Sequence, residues 1–549
     1  MEAAAEAFGW DPDAFQLLRL SFGAQGALDV ARALQRAPST TSVRFTGDPG
    51  SESAFQAWAE THLGRPWARH PLLDDVAVAR SVTRTEAEGQ RRQQGGRTGR
   101  VQGPPAKVVL VGRRCGEAVM RGADVFAPGV AAMERGIAVG DDVAVVADVG
   151  RTPVPRIGAL DEELLESIRA QVPRLRDGPQ QGKEEQEEEE ALSRSLPVAF
   201  RLVAHGVAGM TRKQVFARDG RARGVAVSVT DVEGDVVPVR VDGAWAETTA
   251  VQFLPSMVAS HALGVQSGDR VLDMCAAPGG KTAHLVHRLR RATAAAAASD
   301  QGRGGGVPVQ QHPIVAIDRT RAKVDATRAN LRRLGVRDEE VALVAGDSQQ
   351  LCRDDDVSGV EGRGGGSRDQ SRGGSDALKF PAGTFDRVLC DAPCSALGVR
   401  PRFLSAWTLG DLVGTATYQR GLLAEAARLL KPGGTLVYST CTVSTLENEG
   451  NVQWVLDQHP LLRLRLVECA PRVPEASPGI VASPQQDARA QSLLASLAKP
   501  LPRGDADADV VRRYAALRDP RDAHLVQRFD PRHPDASIGF FIAKFVKDA

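Results

Sequence analysis

The run Val271-Leu-Asp-Met-Cys-Ala-Ala-Pro-Gly-Gly-Lys281 carries an apolar, strand-like segment into a glycine-rich turn, and a helix-like segment follows. Strand, tight turn and helix in that order open a parallel α/β unit, whose ligands sit beyond the carboxyl ends of the strands. The glycines let the backbone approach a ligand closely, and the helix start offers N–H groups without intrahelical partners. Alone such a loop is weak evidence, because many are only tight turns.

Outward from this run the pattern repeats. Strand-like segments follow at Ile314–Asp318, Val341–Val344, Arg387–Asp391 and Thr435–Ser439, and Gly539–Phe545 is placed to close the sheet. Helix-like segments lie between them, at Lys323–Leu334 and at Leu422–Leu430, the latter stopped by Lys431-Pro-Gly-Gly434. The spacing predicts an α/β fold over 231–549: a Rossmann-like domain, its twisted sheet mostly parallel, with helices on both faces.

Upstream the texture differs. Lys107–Gly112, Asp142–Ala147 and Gly224–Val229 are short β-branched runs bounded by Gly and Asp. They predict a small β-barrel over 106–230, preceded by an N-terminal segment over 1–105 that packs on the α/β domain. Three low-complexity stretches read as disordered surface insertions: about 151–195, with the acidic run Glu187–Glu190, then about 292–311 and about 353–375. Irregular sequence also spans about 471–519. Residues 90–100 read as a basic hinge, although Arg91, Arg92, Arg97 and Arg100 also suit phosphate contacts.

At 549 residues the chain is long enough for two or three domains, and 42% hydrophobic content supplies their cores. A net charge of +1 neither attracts nor repels a polyanion strongly, so any nucleic acid must be held by local basic patches. Seven cysteines without framework spacing read as reduced thiols and place the protein in the cytosol or nucleus. Met1–Glu6 does not read as a targeting segment, and no apolar run approaches the ~20 residues that span a bilayer.

Acids mark the strand ends: Asp318, Asp347 and Asp391. A carboxylate about 20 residues beyond such glycines bonds ribose hydroxyls. Gly280 and Asp318 are 38 residues apart, and 18 without the Ala292–Gln311 stretch. The ligand expected there is a nucleoside with free ribose hydroxyls. The bland alternative for a single Asp, above all Asp347-Ser348, is a helix N-cap.

Two cysteines fall just past strand ends, in Asp391-Ala-Pro-Cys394-Ser and Ser439-Thr-Cys441-Thr. A buried cysteine is usually only a small hydrophobe, which suits Cys275, Cys352 or Cys390. A redox or metal pair is a further alternative, without CxxC spacing or a His cluster behind it.

At these residues the chain resembles the Nol/Nop/Sun family of RNA 5-methylcytosine methyltransferases. The matching segments are Leu272–Lys281, Asp391–Ser395, and Tyr438–Thr442 followed by Glu447-Asn-Glu449. The resemblance implies S-adenosyl-L-methionine as cofactor, lined by Cys275, Ala276, Ala277, Pro278, Gly279, Gly280, Lys281, Asp318, Asp347 and Asp391. It implies Cys441 as nucleophile, Cys394 as the thiol that assists product release, and Asp391 on the cytosine edge with Lys281 nearby. Gly116–Gly129 looks like part of a PUA domain, a small RNA-binding barrel. Thr211–Phe216 and Ser537–Lys547 look like the branch with that embedded barrel, which is associated with the acceptor end of transfer RNA. Arg121 and Phe126 are then the candidates to meet the RNA, by phosphate bond and stacking, against an even alternative that Phe126 is barrel core. Two positions depart from the family: Ala396 where Gly is usual, and Thr46 where Asn is usual.

The implied chemistry is covalent. Carbon 5 of cytosine is a poor nucleophile, and a thiolate added at carbon 6 makes it enamine-like. RNA, most readily tRNA, is the expected partner, with no membrane and a monomeric enzyme. The rivals are the same chemistry on mRNA or rRNA, a non-catalytic RNA-binding factor, and a DNA cytosine methyltransferase, in which the Pro-Cys thiol would attack.

Overall fold

The computed structural model describes residues 8–45, 49–63, 67–83, 107–150, 154–172, 199–217, 222–234, 249–299, 313–353, 379–481 and 516–549, with a few isolated positions between. Thr46, the 90–100 hinge, the acidic run at 177–190 and positions 300–311, 354–375 and 482–515 lie outside the described residues.

The catalytic sheet holds eight strands. Five are parallel: Val271–Asp273, Ile314–Asp318, Val341–Ala345, Phe385–Asp391 and Leu430–Thr440. They lie in the order third, second, first, fourth, fifth, so the strand order reverses beside the first strand. Phe540–Lys547 pairs antiparallel with the fifth strand and carries Leu464–Val467 and Gln527–Phe529 on its other side. The central strands are covered on both faces. Every residue of Ile314–Asp318 is buried, which explains a continuous apolar run rather than an alternating one. Burial of each such Ile or Val contributes about 1.5–3 kcal/mol.

The helix after the glycine turn runs from Gly280 to Ser299. Here the expectation of disorder from Ala292 is corrected: Ala292–Ser299 continue the helix. Alanine has the highest helix propensity, so an Ala run prolongs a helix that tertiary packing has already nucleated.

The barrel sheet has seven strands, in the order Val125–Phe126, Val225–Val232, Phe200–Ala208, Asp142–Asp148, Lys107–Gly112, Val130–Met133, Gly158–Ala159. The stretch expected as disordered from about 151 is corrected over 158–171. Gly158–Ala159 adds a strand, and Glu162–Gln171 is a helix capped by Asp161, which accepts from the Leu164 N–H at 2.8 Å. Leu160, Ile168 and Val172 bury against Val108, Leu110 and Val146, an apolar spacing that the neighbouring acidic run masked.

The N-terminal helix Pro12–Leu34 starts at Asp11, whose carboxylate accepts from the Asp13 and Ala14 N–H groups, and kinks at Gly23. Its apolar side packs on Leu409, Leu412, Val413 and Ala416 of the helix Leu409–Leu429. A four-stranded sheet follows, joining Ala68–Arg69, Val76–Arg80 and Thr40–Phe45 to Thr249–Val251 from beyond the barrel. The barrel is also fastened to the catalytic domain. Phe403, in the loop after Cys394, lies in the barrel core, its N–H donates to Glu117 at 3.1 Å, and Arg201 stacks on its ring. Among the described residues no helix is long and apolar enough to cross a membrane.

Candidate active site

The fourth and fifth strands run side by side, and Asp391 pairs in register with Ser439. Just beyond that pair the chain turns into two loops carrying Cys394 and Cys441. Residues 47 positions apart in sequence thus bring their sulfurs to 3.4 Å. Both side chains are half-buried. A Cys394 S–H donated to Cys441 holds the Cys441 thiol below its usual range, against burial and with help from the Lys281 charge. That same bond, then burial, pushes Cys394 well up. The pair therefore favours a thiolate at Cys441 and a proton at Cys394.

Lys281 Nζ donates to Asp391 Oδ2 at 2.8 Å, and Ser439 Oγ donates to Asp391 Oδ1 at 2.7 Å. Phe540 supports the ammonium, its ring centroid 5.3 Å from Nζ. The four predicted catalytic residues Cys441, Cys394, Asp391 and Lys281 are therefore one cluster.

The loop after the first strand, Cys275 to Gly280, lies beside it. Gly279 has φ +98°, and a Cβ there would stand 3.0 Å from Thr327, so any other residue at this turn is strained. Ala277 N–H donates to Asp318 at 3.1 Å, and Arg319 N–H to its other oxygen at 2.7 Å. Asp347 stands at the next strand end, half-buried, accepting from the Gln349 N–H at 3.1 Å. It closes a turn and caps no helix. The Cys275 thiol is pushed well up by burial and by Cys390 and the carboxylates of Asp273, Asp391 and Asp318, as suits an inert thiol.

The strand-end carboxylates fit a nucleoside cofactor. The carboxylates of Asp318 and Asp347 keep acceptor capacity beyond the bonds just named, and a Cβ on Gly280 would meet nothing closer than 4.0 Å. That open face and the first helical turn are where the S-adenosylmethionine would lie.

Several residues hold places that the sequence does not announce, including Asp273 and Glu447, which lie in matched segments without an assigned role. Asp273 is buried beneath the loop, accepts from Thr282 Oγ1 at 2.7 Å, and is pushed up to about 6 by its burial. Arg402 donates to the carbonyl of Ala396, and its charge lies beside Glu117 and both sulfurs. Glu447 is fully buried between the two cysteine loops. Asp75 meets His261 Nε2 at 2.8 Å and His284 Nε2 at 3.0 Å, tying the N-terminal sheet to the helices behind the loop. Arg288 Nη1, 3.8 Å from Asp75, supplies positive charge there, so the trio reads as an electrostatic joint. None of these contacts has a local sequence signature.

In the barrel, Arg121 is half-buried near Glu117 and Arg402, facing the catalytic loop. Phe126 is 52% exposed, which rules out the core alternative and leaves its ring free to stack. Ala396 has φ +54°, so the usual glycine is replaced where the backbone is left-handed.

Known proteins match this arrangement. The profile described as 16S rRNA methyltransferase RsmB/F covers residues 260–304 and 305–488, and that of the PUA domain covers 107–154. The tRNA (cytosine(72)-C(5))-methyltransferase NSUN6 of Homo sapiens is 30% identical over 439 residues, 80% of this chain and 75% of that protein. The chain belongs to the RsmB/F (NOL1/NOP2/Sun) methyltransferase family. Another similar member, the tRNA (cytosine(72)-C(5))-methyltransferase of Pyrococcus horikoshii, is 29% identical over 354 residues, 64% of this chain and 65% of that protein. The fold is shared with the crystal structure of NSun6 from Pyrococcus horikoshii with SFG, at TM-score 0.59 and 24% identity over 98% of each chain. Like the rest of the RsmB/F family, this member uses S-adenosyl-L-methionine.

Proposed function

We infer that this chain is an RNA (cytosine-5)-methyltransferase that acts on tRNA near the acceptor end. The observation that carries the reading is the pair of sulfurs at 3.4 Å beside the Lys281–Asp391 ion pair. A dehydrogenase or an N-methyltransferase on the same fold has no use for two thiols at that place.

Cys441 adds as thiolate to carbon 6 of the cytosine, and the displaced electron pair makes carbon 5 nucleophilic. Asp391, fixed by Lys281 and Ser439, holds the ring edge in place. Bound S-adenosylmethionine supplies an electrophilic methyl group for carbon 5. A base, for which a water molecule suffices, then takes the proton from carbon 5, the freed electron pair re-forms the carbon 5–carbon 6 double bond, the carbon 6–sulfur bond breaks with its electrons returning to sulfur, and the ring regains its conjugation. Cys394, protonated beside the departing sulfur, assists that collapse. Arg121 and the exposed ring of Phe126 hold the RNA end, by phosphate contact and base stacking. One chain carries the thiols, the carboxylates and the barrel, so a monomer suffices.

The tRNA reading is supported by the similarity to tRNA (cytosine(72)-C(5))-methyltransferases and by the barrel beside the thiols. The test is bisulfite sequencing of tRNA and rRNA incubated with the protein and methyl donor. New 5-methylcytosine near the tRNA acceptor end is the expected result. Methylation of rRNA alone would overturn the tRNA assignment, and none in either would overturn the enzyme.

A further inference from the structure

Glu447 belongs to a motif that the proposed chemistry leaves without a role. Its carboxylate is fully buried between the two cysteine-bearing loops. It accepts from the Ser395 N–H at 2.9 Å, Ser395 Oγ at 2.5 Å and Gln419 Nε2 at 3.1 Å, and more distantly from Thr442 Oγ1 at 3.4 Å. Ser395 follows Cys394, and Thr442 follows Cys441. Their hydroxyls also meet each other at 2.7 Å, so one acid ties together the neighbours of both thiols.

The tie is lopsided. On the Cys394 side Glu447 makes two direct bonds to Ser395, and Gln419, which it anchors, donates to the Pro393 carbonyl at 2.9 Å. The Cys441 side is held independently. Thr440 is paired in the sheet with Phe541, and Asn448 donates to the Thr442 carbonyl at 3.0 Å. Farther along the Cys394 loop, Gly398 N–H donates to the Cys441 carbonyl at 3.0 Å, so the freedom that Glu447 removes is confined to the turn between Pro393 and Ala396. The Cys394 segment ends in the left-handed Ala396, a conformation that persists only where its surroundings enforce it.

We propose that Glu447 is a positioning residue that fixes Cys394 against Cys441 and thereby serves product release rather than attack. The inference rests on the reading of Cys394 as the release thiol. With the carboxylate removed, Cys441 keeps its sheet-borne place and still adds to the ring. Cys394 drifts from the 3.4 Å contact, and misplacement of about 1 Å costs up to about a hundredfold in the step it serves.

The test compares Glu447→Gln, Ser395→Ala and Cys394→Ala in the full-length protein. First-turnover methyl transfer from labelled S-adenosylmethionine and the fraction of RNA trapped as adduct on a denaturing gel are read side by side. Compared at alkaline pH, where Cys441 is ionised in every variant, Glu447→Gln and Ser395→Ala are expected to trap about tenfold more RNA than the parent, with first-turnover transfer within about threefold. Slowing of both steps in equal proportion, or no trapping where Cys394→Ala does trap, overturns the proposal. Absence of trapping in Cys394→Ala itself overturns instead the release role on which it rests. Should Glu447→Gln fail to fold, Ser395→Ala, which keeps the backbone donor, decides alone.

Discussion

The sulfurs of Cys394 and Cys441 stand 3.4 Å apart, and their contact holds the Cys441 thiol down while it pushes the Cys394 thiol up, so Cys441 ionises first. Removing the donor removes the largest influence holding Cys441 down. In Cys394→Ala the midpoint for alkylation of Cys441 by iodoacetamide moves to higher pH, read by mass spectrometry across a pH series. Lys281→Met moves it the same way, because a nearby positive charge is lost. An unchanged midpoint in both variants would mean that the sulfurs titrate independently.

Cys441→Ala and Cys394→Ala separate the two roles. The first abolishes both turnover and the covalent RNA adduct, while the second accumulates the adduct because attack outlives release. Denaturing gels after incubation with RNA distinguish them, and an adduct through Cys394 in the Cys441→Ala protein contradicts the assignment.

Asp391 is held by Lys281 at 2.8 Å and Ser439 at 2.7 Å, an arrangement suited to fixing a ring edge. Asp391→Asn keeps the shape but loses the charge and the ion pair. Turnover should fall by roughly 10²-fold, the cost of a reacting group misplaced by about 1 Å. Single-turnover rates at saturating donor measure this, and a loss below threefold counts against the placement.

Ala396, at φ +54°, stores local strain. A left-handed alanine costs about 1–2 kcal/mol, offset in part by the greater unfolded-state entropy of glycine. Ala396→Gly therefore stabilises the protein by about 0.5–1 kcal/mol, while Ala396→Val destabilises it. Denaturant midpoints check both directions.

Asp273 links the site to pH. Its folded value of about 6 stands above the ordinary 3.8 because burial penalises its charge. A raised acid favours the native state below the unfolded value and loses that advantage as pH climbs through the folded one. The protein should thus lose stability between about pH 4 and 6, on the order of 3 kcal/mol from this group. Asp273→Asn flattens that slope in thermal unfolding series, and an unaltered slope removes Asp273 as its source.

Sequence patterning reached the catalytic sheet because its strands are covered on both faces and so read as unbroken apolar runs, as in Ile314–Asp318. It reached Cys394 and Cys441 because each follows a strand that ends at the ligand side. It did not reach the helix at Glu162–Gln171 or the extension to Ser299, where biased composition drowned a short periodic signal. Glu447 and Ser395 stand in segments that the sequence singles out, but their roles, like that of Gln419, were illegible for a different reason. Their value lies in contacts across 28 and 52 positions, and no local pattern encodes which buried carboxylate a distant serine will find.

The seating of Phe403 in the barrel has a practical corollary. Its side chain plugs one module while its backbone continues from the Cys394 turn of the other. A deletion that excises residues 106–230 therefore leaves an orphaned aromatic ring in water and slackens the very turn that bears the second thiol. Grafting a foreign RNA-binding module in its place restores turnover only if the replacement offers that ring an equivalent socket.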